Sequence, residues 1–476
     1  MSEIAAMNRS CSVVASRSVS VKCAIAALLA SVTVAAPFAA DALPVFPQAT
    51  GYGAETVAGR GGTVYRVTNL NDSGAGSLRA CVEAKGPRVC VFEVSGTIKM
   101  SKDLGITNPY ITIAGQTAPS PGIMLRGAAL RISTSEVLVQ HLRVRSGDDP
   151  EGPTPSNRDS LKIESPPEKP IKNIVVDHCS FSWAIDEVAS VWRGYDNVTL
   201  SNNIFSEGLR ESLLPTTAGY GLILGPWDGK VAVIGNLFAH NKERNPLSRA
   251  THAVIVNNVV YNRANMDVDL QSEDGLKTHT AVIGNVFLRG ADYARNTKPV
   301  LVRTSGSLAL PSQSKVYVAD NASQDRSGDD EWSVVGASEG TLPSALKSAL
   351  PPTWPAGLTR LSTQSDAVLS TVLKFAGARP ADRDPVDKRV VQSVRDGTGR
   401  IINCVSADGS ERCKKNAGGW PKLAENRRAL QLPANPSAVT ASGYTNLELW
   451  LHKLAAEVEG RSEHAPSAPI LSSQAQ

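Results

Sequence analysis

One motif recurs along the chain and limits what it can fold into. A short β-branched run is followed by one or two polar residues and then a hydrophobe. It reads "IVVDHCSF" at 174–181, "VTLSNNIF" at 198–205, "VAVIGNLF" at 231–238, "AVIVNNVV" at 253–260 and "TAVIGNVF" at 280–287. Weaker copies are "ITIAGQTA" (111–118), "VLVQHLRV" (137–144) and "VYVADNAS" (316–323). The closest starts are 22 to 27 residues apart, and wider gaps carry Pro- and Gly-rich inserts such as "GDDPEGPTPSNR" (147–158). A unit this small cannot bury its own hydrophobic face, so successive copies must stack. Short strands, sharp corners and this period predict an all-β fold, a right-handed parallel β-helix solenoid. A β-sandwich would need hairpin turn signals and strict alternation, which are missing.

The sixth position of the repeat is Asn203, Asn236, Asn258, Asn285 and Asn321. Asparagine tolerates the left-handed conformation of a corner, and stacked copies can pass side-chain hydrogen bonds from coil to coil. Solenoids also need caps. "SLRACVEAKG" (77–86) predicts an N-terminal cap helix, with Ser77 as N-cap and Gly86 just past the end. The coils are expected over 43–325. A C-terminal extension over 326–460, with helices near 382–396 and 445–459, is expected to pack on them, and 461–476 reads as a disordered tail.

Hydrophobic content of 42% and charged content of 20% belong to a globular chain. The net charge of +4 comes without a Lys/Arg run, which argues against nucleic acid as a partner. Arg9, Arg17 and Lys22 precede the apolar run 23–40 and an Ala-x-Ala pattern ending near Ala42. Residues 1–42 therefore read as a cleaved export signal rather than an anchor, and a secreted, extracellular or periplasmic protein free of the membrane is expected. In that compartment Cys81 with Cys90, and Cys404 with Cys413, each nine apart, read as local disulfides. Cys179, in an apolar run, reads as a buried thiol.

A β-helix is a scaffold, so function must be argued from its sites. The long inserts follow strands ending near 146 and 205, which confines the search to 137–262. Four charged groups stand out there. They are Asn157 and Asp159 before a strand, adjacent Asp186 and Glu187, Glu207 with Arg210, and "HNKERNPLSR" (240–249) with Lys242, Arg244 and Arg249. Carboxylates from neighbouring coils can hold a hard cation through oxygen ligands. Arginines facing them suit an acidic substrate, since the guanidinium fork matches a carboxylate. His178 and His240 offer another acid–base set, but alternate side chains of "VVDHCSF" point into the coil and favour packing for His178. Trp183, Trp192 and Trp227 are candidate sugar platforms, with Trp227 in "GPWDGK" the foremost. Corner aspartates and surface ion pairs are also common without any function. These residues alone leave enzyme and binding protein equally open.

The ordered set "NRDSLKI … VVDHCSFSWAIDE … NNIFSEG … GNLFAHNKERNP … NNVVYN" resembles the pectate lyases of polysaccharide lyase family 1. The opening "RGGTVYRVTNLNDSGAGSLRACV" is similar too, and the likeness covers roughly residues 44–323. Its most specific element, "ERNPLSR", is similar to the family's turn with two arginines. The resemblance implies Arg244 as the proton-abstracting base and Arg249 as the ligand of the uronate carboxylate. Arg210 aligns with a substrate-binding lysine. The family's calcium element of two aspartates is here Asn157-Arg158-Asp159, and its second acidic pair aligns with Asp186 and Ser190. Two expected carboxylates are thus neutral groups; either Glu187, Asp148 or Glu207 makes up the deficit, or the cation arrives mostly with the substrate.

The implied activity is cleavage of α-1,4-linked polygalacturonate, an acidic plant cell-wall polysaccharide, by β-elimination with Ca2+ as cofactor. A monomer is expected. Alkaline conditions suit an arginine base, because guanidinium groups titrate above about 12, and Lys242 adds a neighbouring cation. The competing readings are a lyase for another uronate polymer, a polygalacturonase-type hydrolase, a pectin methylesterase and a non-catalytic binding β-helix. The hydrolase needs a cluster of three or four aspartates in an N-T-D, D-D and G-H-G set, which is absent; "GYGLILG" (219–225) only echoes the G-H-G element. The glutamine-rich cleft of a methylesterase is not found.

Overall fold

In the computed structural model, which describes residues 43–293, 297–355, 357–358 and 362–461, the repeats are the coils of a parallel β-helix. All eight copies align in register. Ile111 pairs with Val137, Val137 with Ile174, Ile174 with Val198, Val198 with Val231, Val231 with Ala253, Ala253 with Thr280, and Thr280 with Val316. A second stack carries strands such as Leu161–Ile163, Glu187–Val191 and Val268–Leu270. A third carries Ser180–Ser182, Ile204–Ser206, Leu237–Ala239 and Val259–Tyr261. Two long strands, Tyr220–Ile234 and Leu247–Val256, run through both the first and second stacks. Pairing continues as far as Val335–Ala337, beside Val300–Val302, beyond the boundary expected at 325.

The coil interior is filled by stacked side chains of matched type. Phe181, Phe205 and Phe238 stack with centroids 5.5 and 5.1 Å apart, all fully buried. The asparagine ladder forms, but the left-handed residue is not the sixth-position asparagine. It is its predecessor: Asn202, Asn257 and Asp320 at φ +53°, +52° and +57°, with Gly235 and Gly284 at +66° and +63°. The corner takes one left-handed residue and the next resumes extended backbone. That leaves the sixth side chain buried and free to bond along the stack. Asn203 donates from its backbone N and its Nδ2 to Asn236 Oδ1 at 2.8 and 3.0 Å, and Asn236 repeats the pattern to Asn258. The ladder runs on through Asn285 to Asn321. Replacing Asn236 by leucine leaves the buried Asn203 N–H and Leu200 carbonyl without their partners. At about 1–3 kcal/mol for each orphaned group, the expected loss is roughly 2–6 kcal/mol, read as a lowered midpoint in denaturant.

Helix α1 (Leu78–Glu83) caps the N-terminal end, with Ser77 Oγ accepting from Ala80 N, and Cys81 is bonded to Cys90. The C-terminal region adds α2 (Ser365–Phe375), α3 (Pro385–Asp396) and α4 (Asn446–Glu459), with Cys404 bonded to Cys413. Helix α4 opens on a full capping box, Thr445 with Glu448, which made it legible in sequence. Helix α2 has Gln364 at its N-cap position with no side-chain cap bond, and no comparable start signal marks it. Helices α2 and α3 cover the third stack, placing Val368, Val372 and Val390 on Ile204, Leu237 and Val259. Helix α4 covers the first, with Leu447 and Leu451 on Val89, Val91 and Ala114. Buried Arg145 fixes α3 through Asp384 (2.6 Å) and Asp387 (2.9 Å). The extension therefore lies along the sides of the coil. The export signal at 1–42 and residues 462–476 of the tail expected from 461 lie outside the described residues, while Arg461 itself donates its N–H to Ala456 O at 2.9 Å. Among the described residues no helix is long and apolar enough to cross a membrane.

Candidate active site

Asp159 lies just before the strand Leu161–Ile163, whose neighbour Glu187–Val191 pairs Lys162 with Ser190. That register carries Asp159 alongside Glu187 and Arg158 alongside Asp186. Carboxylate oxygens of Asp159, Asp186 and Glu187 all lie within 4.8 Å of one another. They line a cleft of about 390 Å³ together with Asn157, Ser190, Glu164, Trp192 and Ile223, and with Arg244 and Arg249. Asn157 takes a left-handed backbone (φ +66°) and donates its N–H to Asp186 Oδ2 at 3.2 Å. Ser190 donates its hydroxyl to Asp159 Oδ2 at 2.5 Å. The two neutral residues thus support the acids rather than duplicate them.

The cleft is electrostatically frustrated. Asp159 is buried, its Oδ1 has no hydrogen-bond partner, and two further carboxyls crowd it. Desolvation, then repulsion from Glu187, raises its pKa well above the ordinary carboxylate range. Glu187 is pushed up to about 7, by burial first and then by Asp186. An orphaned buried oxygen facing two other acids fits a hard divalent cation, which takes oxygen ligands of this kind. Asp159, Asp186 and Glu187 are the residues that would hold it.

Arg244 is held rigidly. Its backbone is left-handed (φ +64°), its carbonyl accepts from Leu222 N at 2.6 Å, and Asn245 N donates to Asp267 O at 2.6 Å. Asn241 Nδ2 bridges Asn245 Oδ1 (3.1 Å) and Phe205 O (3.0 Å). Gly221 has no room for a side chain, since a Cβ there would sit 2.5 Å from the Arg244 carbonyl. The guanidinium lies 3.7 Å from the Tyr220 ring centroid and forms an ion pair with Glu187. Arg249 donates from Nε to Gln271 at 2.9 Å and pairs with Glu273. Burial pulls its guanidinium below the usual arginine range, with Glu273 opposing.

The other sequence candidates lie elsewhere. Lys242 is beside the cleft, its Nζ 5.5 Å from the same Tyr220 ring and 3.4 Å from Thr217 Oγ1. Arg210 does not line the cleft; its side chain faces Glu211 at 3.7 Å. Trp227 packs against the coil core beside Ala250, and Trp192 lines the cleft in its place. Asp148 accepts from Val405 N, and Glu207 is buried between Arg389 and Trp183, so neither joins the carboxylate cluster. His178 bonds Asp177 at 2.8 Å, and His240 joins Asn262 to Ser393 of α3. Both are packing groups, and Cys179 is a buried free thiol. No sequence signal points to Glu164, Gln271 or Glu273 as cleft residues, and Tyr220 is marked only by its place in "GYGLILG".

The fold and this cleft define a parallel β-helix protein with clustered carboxylates facing arginines across a groove. Curated relatives give the same outline a name. The chain is 33% identical over 429 residues to the probable pectate lyase C of Neosartorya fischeri, covering 87% of this chain and 95% of that protein. It is 32% identical over 430 residues to the probable pectate lyase C of Aspergillus oryzae, covering 87% and 94%. Among solved structures, the cedar pollen major allergen Jun a 1 shares the fold, with a TM-score of 0.50 at 19% identity over 69% of this chain and 92% of that one. No family model matches the chain. The chain belongs to the pectate lyase family.

Proposed function

We propose that the protein is a secreted pectate lyase that cleaves α-1,4-linked polygalacturonate by β-elimination, leaving unsaturated oligogalacturonides. The observation that carries the reading is the cluster of Asp159, Asp186 and Glu187 in one cleft with Arg244 and Arg249. A calcium ion bound there supplies positive charge that offsets the uronate C6 carboxylate and so acidifies the C5 proton. Arg249, oriented by Gln271 and Glu273, clamps that carboxylate with its guanidinium fork. Arg244, in its neutral form, takes the C5 proton. The C5–H electron pair forms the C4–C5 double bond, the C4–O4 bond breaks, and the leaving oxygen takes a proton from water. Tyr220 fixes the plane of the base. Lys242, beside the same Tyr220 ring as Arg244, is the cation we assign to a neighbouring uronate; Arg210, outside the cleft and facing Glu211, has no such support. The export signal pattern and two disulfides support action outside the cytoplasm.

The test is incubation of the purified protein with polygalacturonate and calcium at alkaline pH, with and without chelator. A rise in ultraviolet absorbance from unsaturated uronide ends, lost on chelation, is expected. No rise on pectate, pectin or rhamnogalacturonan would sink the proposal.

The raised carboxyls also set a pH dependence. Without a cation, and between the unfolded carboxyl range and about pH 7, Asp159 and Glu187 hold protons in the folded protein that the unfolded chain has already lost. Their contribution to stability is therefore greatest below the unfolded carboxyl range and falls as pH rises through about 7. Calcium binds the ionised acids and reverses that loss. The increase in Tm on adding calcium should be small near about pH 5 and large near about pH 8.5, as scanning calorimetry can read directly.

A further inference from the structure

Glu187 has two partners that compete for its charge. One of its carboxylate oxygens belongs to the candidate cation cluster with Asp159 and Asp186. The same side chain forms the ion pair with Arg244. It is mostly buried, with 11% of the side chain exposed, so water does little to screen one partner from the other. Arg244 forms no other ion pair among the described residues, and its guanidinium otherwise rests on the Tyr220 ring. A cation in the cluster and a guanidinium on the cluster's own carboxylate are like charges only a few ångströms apart.

We propose that Glu187 couples cation binding to the freedom of the base. In the cation-free protein Glu187 holds the Arg244 guanidinium at the cluster. A cation draws the Glu187 carboxylate to itself and weakens its hold on Arg244, which then turns its guanidinium to the uronate while Tyr220 keeps its plane. Glu187 thus acts through Arg244 as a positioning residue, and also counts toward the charge that holds the cation. The idea rests on the lyase reading above and adds to it a linkage between two sites. Linkage is reciprocal: if the cation weakens the pair, the pair must weaken the cation.

That reciprocity gives a test that needs no turnover. Calcium is titrated calorimetrically into the wild-type protein, Arg244→Ala, Glu187→Gln and the double variant. Arg249→Ala is the control for simple loss of positive charge, because Arg249 lines the same cleft but pairs with Glu273. Thermal melts check that each variant is folded, and glutamine preserves the shape of Glu187. The expected result is that Arg244→Ala tightens calcium about fivefold or more, the lower end of typical coupling energies. In the Glu187→Gln background the same change should move calcium affinity less than about twofold, and Arg249→Ala should have a smaller effect that is equal in both backgrounds. Calcium affinity unchanged in Arg244→Ala, or tightened equally with and without Glu187, would overturn the coupling alone. Failure of the wild type to bind calcium at all would overturn the cation site and the coupling together.

Discussion

Arg244→Ala is expected to lower kcat on polygalacturonate by about a thousandfold, within the 10²–10⁴ range for loss of a positioned general base. KM should change little, because Arg249 and the cation cluster, not Arg244, are assigned to the substrate carboxylate. A parallel fall in kcat and binding would instead assign Arg244 to substrate affinity. Arg244→Lys sharpens the test. A lysine amine titrates near about 10.4 against above about 12 for guanidinium groups, so the residual activity should reach its plateau at lower pH. Lysine also loses the flat face that stacks on Tyr220, which should keep the rate well below wild type. The folded state should survive both changes, since the turn is held by backbone bonds and by Asn241 rather than by the arginine side chain.

Asp159→Asn should be the second most damaging change to activity and, in the absence of calcium, a stabilising one. Asparagine keeps the shape of the side chain and can still accept from the Ser190 hydroxyl, but it removes one of three charges from the cluster. Calcium affinity should fall by about tenfold or more, each decade being about 1.4 kcal/mol. Turnover at limiting calcium should fall with it and recover in part at high calcium. At alkaline pH the calcium-free variant should melt above the calcium-free wild type, because the wild type must then ionise a buried acid beside two others. Opposite signs in the two measurements mark Asp159 as a ligand. A loss of both affinity and stability would mark it as a structural corner.

Much of the molecule can be read from the repeat. Eight short blocks align in the structure at the residue where each begins, because a stacked coil must place like on like to keep its core filled and its backbone paired. The asparagine ladder and the cap helix follow from the same local rules. The left-handed corner falls one position before the repeated asparagine, since both positions carry residues that tolerate left-handed backbone and only the chain's path separates them. Helix α2 escaped because it lacks the side-chain cap that marked α4.

The site divides differently. Arg244 and Arg249 stand out by spacing and by resemblance, and they meet Asp159 and Asp186 in one cleft. Sequence could not decide which acid makes up for Asn157 and Ser190. Three acids were placed to do so, and only the stacking of one coil on the next selects Glu187, while Glu207 is taken by Arg389 and Asp148 by the Val405 N–H. The same holds for Tyr220, which lies 24 residues before Arg244 in the chain yet 3.7 Å beneath its guanidinium. The coil, its period and the two arginines are legible in the chain's own order of residues, because these depend on neighbours a few residues away or on a repeated pattern. The partners of those arginines emerge only on folding, because in a solenoid the contacts that set charge and orientation come from adjacent coils, whose spacing varies with every insert.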